Sequence, residues 1–378
     1  MSPISRPRRH ARTLAFGVVA ALALAGCSGV NGGEDGGSGG EDGGSGGELV
    51  IRLATWIGPA TPYGVALEEF VTTVDELSDG EITIEPFWDG ALLAGPDLLT
   101  GAGDGRADLA YLPTHYNPAE LPLSQLTTVP FLTSDVPAAE ATWETLLESD
   151  EAFAAEYAES GVTPLTVHGT TTNILATTEP VPGFDWLDGR SLRATSYSAN
   201  AVQLAGANPV ALALNEIYES VERGVVDGFT TMNLGTIPSV SLQEVTPYVV
   251  DAGLGMYATS LLVANTSFWD GLSEDHKAVL TEAIDTLDES YWSALSDVEE
   301  EACSTILEEG GEVTQWPDAE KKLWQDAVGD TILDEWKAQV EAQGVDADAF
   351  YDSYMESLDE NATDYVDGVV ICAQRSQR

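Results

Sequence analysis

Between Ser273 and Gly310, apolar residues recur at 279, 280, 283, 284, 287, 291, 295, 298, 302, 306 and 307. Steps of three and four place them along one side of an α-helix, with Ser273 suited to cap its start and Gly310-Gly311 to end it. About 36 residues rising ~1.5 Å each would span roughly 54 Å, more than one lobe of a chain this size requires. The rhythm therefore predicts a helix that braces two bodies, the other reading being two ordinary helices with a kink near Tyr291-Trp292.

Ahead of this helix lie two α/β cycles. Glu48–Trp56 reads as a strand, and Thr61-Pro62 opens a helix with Val65, Phe70, Val74 and Leu77 toward the core. Glu81–Phe87 alternates as a second strand, 92–100 forms a short helical piece, and the segment from Gly105 ends in a strand at Tyr111. Helices between strands indicate a parallel sheet. Ala138–Ser160 continues as helix. The second cycle has strands at Val162–His168, Leu192–Thr195 and Asn208–Leu212, a helix over Ser198–Ala205, and another ending at Gly224 ahead of a strand from Val225. Two cycles of similar size suggest two lobes with a cleft between them, ligands sitting at the carboxyl ends of the strands. Beyond Pro317 the pattern is that of amphipathic helices, including 319–343 and 347–359.

The N-terminus is of a different kind. Arg6, Arg8, Arg9 and Arg12 precede a short apolar run from Leu14 to Leu24, which reads as an export signal over residues 1–26. It ends in Leu24-Ala25-Gly26-Cys27, the small-small-Cys order of a lipobox, so Cys27 is the expected lipidation site; a plain secretory signal is the alternative. Residues 27–47, Gly/Ser-rich with Glu and Asp, cannot bury apolar surface and read as a disordered acidic tether. The formal G-x-S-x-G match at Gly43–Gly47 carries no nucleophile, since no strand precedes it and no helix follows.

Of 378 residues, 63 are acidic and 15 basic, a net charge of −48. Four of the basic residues lie in the signal, leaving 11 against 63 after its removal. No basic face for phosphate is available, so a nucleic-acid partner is excluded. Such a surface suits a heavily solvated protein or one living in strong salt. With Cys27 assigned to lipid, Cys303 and Cys372 remain as an even pair in an oxidising compartment, expected to form a disulfide between the long helix and the C-terminal tail, or else to stand as two buried thiols.

Two segments carry a family resemblance. Residues 206–228 read Gly-Ala-Asn-Pro-Val-Ala-Leu-Ala-Leu-Asn-Glu-Ile-Tyr-Glu-Ser-Val-Glu-Arg-Gly-Val-Val-Asp-Gly, and 187–193 read Leu-Asp-Gly-Arg-Ser-Leu-Arg. Together they resemble the solute-binding proteins of TRAP transporters, in the DctP-type branch that takes dicarboxylates and other organic acids. The resemblance implies an α/β fold of the two-lobed periplasmic binding type, a Venus flytrap with a long helix bracing both lobes. It implies lobe I over 48–170, lobe II over 171–256, a crossover strand and spanning helix over 257–310, and C-terminal helices over 311–378 packing on the lobes. The implied function is an extracytoplasmic receptor, lipid-anchored to the outer face of the cell membrane, that captures a small carboxylate and delivers it to the TRAP membrane permease. No cofactor, metal or catalysis is expected.

The resemblance places the family's carboxylate clamp on Arg193, whose planar fork suits a carboxylate better than a lysine would. The other basic residues from 49 to 270, Arg52, Arg106, Arg190 and Arg223, read as a strand or turn charges. Where acid-sugar members often carry another arginine, this chain has Asn173. Trp56 follows the first strand, where an indole can wall a cleft and donate a hydrogen bond. Tyr116 and Phe131 are expected lobe I contacts; Phe229 and Asn233 are expected lobe II contacts. One cation among hydroxyls, amides and aromatics favours a monocarboxylate over a dicarboxylate. His115, His168 and His276 fall in no zinc motif, and neither a P-loop nor a dinucleotide fingerprint is present. Rival readings are a same-family receptor for a sensor kinase, a lipoprotein hydrolase with an unrecognised carboxylate pair, and a structural envelope lipoprotein.

Overall fold

The computed structural model describes residues 49–377. The expectations for the export signal, Cys27 and the tether lie outside these residues.

Two sheets divide the chain. The first holds β1 (Leu49–Thr55), β2 (Ile82–Phe87), β3 (Leu109–Pro113), β4 (Val162–Gly169) and β10 (Thr259–Asn265), ordered β2-β1-β3-β10-β4. The second holds β5 (Leu175–Thr177), β6 (Ser191–Arg193), β7 (Asn208–Val210), β8 (Gly228–Phe229), β9 (Tyr248–Asp251) and β11 (Glu312–Gln315), ordered β11-β9-β5-β8-β6-β7. β1, β2 and β3 are parallel, as the helical connections require. The expected purely parallel sheet is corrected by β10, which returns from the second lobe and pairs antiparallel with both β3 and β4.

These directions fix where a site can form. β4 runs the same way as β3, so the carboxyl ends of β1, β3 and β4 share one edge, where the chain leaves for the second lobe. β5 enters the second sheet from that edge, and β8 runs antiparallel to it with β6 parallel to β8. The carboxyl end of β6, which is Arg193, therefore faces back toward the first lobe.

Helices α1 (Pro62–Leu77), α2 (Leu98–Gly103), α3 (Val136–Ser149), α4 (Glu151–Glu159) and α8 (Thr266–Gly271) belong with the first lobe; α5 (Ser196–Leu204), α6 (Ile217–Glu222) and α7 (Thr236–Ser239) belong with the second. Thr61 caps α1 by accepting from the Gly64 N–H at 3.1 Å, and Phe70 and Val74 point inward as expected. Val65 and Leu77 do not: they are 45% and 40% exposed, because the covered stripe of α1 runs through Ala66, Leu67, Phe70 and Val74. The single helix expected over 138–160 is two, broken at Asp150, whose carboxylate accepts from the Phe153 N–H at 2.9 Å and caps α4.

The long helix is continuous, α9 (Glu274–Glu308), capped by Ser273. Leu280, Ala283, Leu287, Tyr291 and Leu295 pack into the apolar core with Phe70 and Leu53 of the first lobe. Ala302, Cys303 and Ile306 pack into the core that holds Ile174, Ile217 and Phe229 of the second. One rigid rod thus contributes to both hydrophobic cores. Cys303 is bonded to Cys372, 69 residues on, which fixes α13 (Gly368–Ser376) to α9. Helices α10 (Asp318–Val328), α11 (Thr331–Glu341) and α12 (Ala347–Glu360) lie across both lobes: Trp324 donates its indole N–H to the Ala201 carbonyl at 2.9 Å, and Trp336 to that of Pro122 at 2.9 Å.

The crossing segment after β4 is gripped residue by residue. Asp288 lies 2.9 Å from His168 Nε2; Glu140 accepts from the Gly169 N–H at 2.6 Å; Tyr291 donates to the Gly169 carbonyl. Thr171 donates its hydroxyl to Glu299 at 2.6 Å, and the Thr172 N–H donates to Asp367 at 2.7 Å. The second crossing segment runs alongside, the Thr170 N–H donating to the Ala258 carbonyl at 2.9 Å and the Asn173 N–H to that of Gly255 at 2.8 Å.

Burial pushes Glu140 up to about 8 despite its bond from Gly169. It does the same to Glu156, about 8, although Leu123 and Ser124 donate to it. Glu299 is pushed up by burial and then by the charge of Asp367. These groups hold protons in the folded chain that the unfolded chain has lost above about pH 4.5, so their contribution to stability is full below that pH and is lost as pH rises through about 8. Thermal unfolding between pH 6 and 9, where surface carboxylates are already ionised, should therefore show Tm falling with pH. Glu140→Gln should flatten the pH dependence of stability by up to about 1.4 kcal/mol per pH unit below pH 8; an unchanged slope would contradict the assignment.

Candidate ligand-binding site

Arg193 ends β6, flanked by β7 and β8. Its Nε donates to the Leu212 carbonyl at 3.2 Å, and its Nη1 donates to the carbonyls of Thr230 at 3.2 Å and Thr231 at 3.0 Å. Three of the five guanidinium N–H groups are thereby committed to backbone. The two on Nη2 have no acceptor among the described residues. No carboxylate lies within ion-pair distance of Arg193 among the described residues either, in a chain with 63 acidic residues. Burial presses its pKa below the usual guanidinium value, opposed by the hydroxyls of Tyr257 and Tyr116.

The carbonyl cradle needs its own support. Thr231 sits at φ 64°, unfavourable for a β-branched side chain. Asn173 holds it there: its Oδ1 accepts from Thr231 N–H at 2.7 Å, Thr230 Oγ1 at 2.8 Å and Met232 N–H at 3.3 Å, while its Nδ2 donates to Ser198 Oγ at 2.9 Å. Thr231 Oγ1 in turn accepts from the Thr195 N–H at 3.1 Å. Asn173, expected as a ligand contact, is 1% exposed, with its Oδ1 taken up by the turn whose carbonyls hold Arg193.

From the first lobe, Trp56 follows the last residue of β1 and Tyr116 lies three residues past β3, both at the edge facing the second lobe. Their rings meet edge to face with centroids 6.0 Å apart. Tyr116 lies so close over Gly95 that a Cβ there would come within 2.6 Å of its ring. The indole Nε1 of Trp56 is buried with no hydrogen-bond partner among the described residues. Tyr116 is 40% exposed, and its phenol pKa is raised by burial and drawn back by Arg193. Tyr257, on the second crossing segment, is pushed up to about 12 by burial against the same opposing charge. Both phenols thus stay protonated donors near neutrality. Tyr257, like the Thr230–Thr231 cradle, was not singled out in the sequence, where it sits in an irregular connection with no motif to mark it.

The remaining expected contacts fall elsewhere. Phe229 is fully enclosed in the second lobe's core with Ile217 and Val249, because its side chain points to the face of β8 opposite the cradle; its expected ligand contact is corrected accordingly. Asn233 lies in the turn ahead of α7, accepting from Thr236 N–H at 3.2 Å and Thr236 Oγ1 at 2.6 Å. Phe131 packs edge-on against Trp324 at 5.9 Å, turned toward the C-terminal helices, with φ 68° and its N–H donated to the Leu254 carbonyl at 2.7 Å. Arg52 is ion-paired with Asp108 at 2.8 Å, Arg190 with Glu179 at 2.5 Å, and Arg223 with Glu219 at 2.9 Å, the structural roles expected of them.

Known proteins place this arrangement in a family. Residues 53–339 match the model for the bacterial extracellular solute-binding proteins of family 7, DctP. The chain is 23% identical over 297 residues to the ectoine-binding periplasmic protein TeaA of Halomonas elongata, covering 74% of this chain and 86% of that protein. It is 21% identical over 304 residues to the C4-dicarboxylate-binding periplasmic protein DctP of Rhodobacter capsulatus, covering 79% and 90%. The crystal structure of a TRAP periplasmic solute-binding protein from Desulfovibrio salexigens superposes with a TM-score of 0.75 at 20% identity, covering 84% of this chain and 98% of that one. Arg193, at the edge between two braced lobes, thus sits in a chain that belongs to the family 7 extracellular solute-binding proteins, the receptors of TRAP transporters.

Proposed function

We propose that this chain is a lipid-anchored extracytoplasmic receptor that captures a small organic acid through Arg193 and hands it to a TRAP membrane permease. The observation that carries this is the pair of unused N–H donors on a partly desolvated Arg193 with no acid beside it. A guanidinium taken from water without a counter-charge is costly, and a ligand carboxylate supplies the missing partner. Trp56, Tyr116 and Tyr257 form the uncharged remainder of the site. Closure brings the lobes together about the two crossing segments, the ligand binding the closed state better than the open one. No bond is made or broken. Cys27 carries the lipid, and residues 28–47 give the receptor reach from the membrane.

Mass spectrometry of the natively purified protein identifies the acid that travels with it. With that acid, Arg193→Gln should weaken binding at least a hundredfold in calorimetry while far-UV circular dichroism and Tm stay near wild type, and Arg193→Lys should restore only part of the loss. Binding unaffected by either change contradicts the clamp.

A net charge of −48 repels an approaching anion at long range. Raising salt from 0.1 to 1 M shortens the screening length from about 10 Å to about 3 Å. Stopped-flow association should therefore quicken severalfold with salt. Slowing with salt would show attraction instead and contradict this electrostatic picture.

A further inference from the structure

The charges around the clamp and the buried donor opposite it narrow the ligand's chemistry, a selectivity that rests on the receptor function of Arg193. Four other basic side chains are paired with acids: Arg52 with Asp108, Arg190 with Glu179, Arg223 with Glu219, and Lys321 with Asp251 at 2.6 Å. Arg106, without an ion pair among the described residues, is exposed in the turn before β3, at the sheet edge away from Arg193. His115, edge-on to Tyr116 at 4.5 Å, is pushed down to about 4 by burial and is neutral near pH 7. Arg193 thus has no second cation beside it among the described residues. A second carboxylate on the ligand would be desolvated without a partner and would meet twice the repulsion from a chain of net charge −48.

Trp56 speaks to the other end of the ligand. Its Nε1–H can only donate, is buried, and meets no acceptor among the described residues. Buried donors of this kind find partners, and Trp56 reaches the site from the lobe opposite Arg193, beside Tyr116. An uncharged oxygen on the ligand would satisfy it.

We propose that this site selects organic acids with a single negative charge and an uncharged hydrogen-bond acceptor remote from it, the indole N–H of Trp56 being the group that reads the acceptor. Two matched triads test this by calorimetry on the mature protein: benzoate, 3-hydroxybenzoate and isophthalate; and butyrate, 4-hydroxybutyrate and succinate. In the triad that fits, the hydroxy acid should bind about tenfold tighter than its unsubstituted parent and the diacid at least a hundredfold weaker than the hydroxy acid. Trp56→Phe, which keeps an aromatic ring and removes the N–H, should cost the hydroxy acid about tenfold more affinity than its parent, so that the two bind alike, with far-UV circular dichroism and Tm reporting on folding. A diacid that binds as tightly as the hydroxy acid and loses binding in Arg193→Gln overturns the selectivity and leaves the receptor function standing. Equal losses for parent and hydroxy acid in Trp56→Phe overturn the role of the indole. A co-purified acid that carries two carboxylates and is bound through Arg193 overturns the selectivity alone; absence of binding by all six acids together with no co-purified acid overturns the receptor function and this inference with it.

Discussion

The structure turns on a guanidinium removed from bulk water and given no acid to pair with. Keeping Arg193 in that state is hard in a chain where acidic residues outnumber basic ones about fourfold. The fold does so with backbone: carbonyls from β8's exit and from the loop after β7 take three N–H groups, and Nη2 has no acceptor among the described residues. Carbonyl dipoles orient the fork without neutralising its charge.

That cradle is tied to the crossing between lobes by very few covalent steps. Thr171 and Thr172 are held by Glu299 and Asp367, and Asn173, the next residue, fixes Thr230 and Thr231 around the arginine. Glu299 belongs to α9 and Asp367 caps α13, and a disulfide joins those two helices. The rod that braces the lobes, the crossing segment and the carbonyl cradle of Arg193 are therefore joined by one continuous run of contacts. The Thr231 turn at its end is held in a conformation a threonine does not adopt unaided.

Much of this could be read from the sequence, for identifiable reasons. The long helix was legible because its apolar rhythm runs unbroken through Tyr291, with a cap at one end and glycines at the other. The place of Arg193 on a strand was legible through its alternation with Leu192, and its proposed role came from the segment around it. Phe229 misled because, in a strand of two residues, alternation cannot say which face is core. Asn173 sat at the right place but one layer too deep, since nothing in one sequence shows that its amide is saturated by a turn 57 residues away. Val65 and Leu77 misled because hydrophobic residues at the margin of a helical stripe are covered only when a neighbour reaches them. Tyr257 and the hinge carboxylates were illegible, their significance arising from burial that only the packed lobes create.

The most direct measurement is a crystal structure of the protein with its co-purified acid in place. A ligand carboxylate oxygen about 3 Å from Nη2 of Arg193, with the rest of the molecule against Trp56 and Tyr116, is the expected result. A ligand whose carboxylate lies against another group, with Nη2 of Arg193 left to water, would contradict the central role given to that side chain.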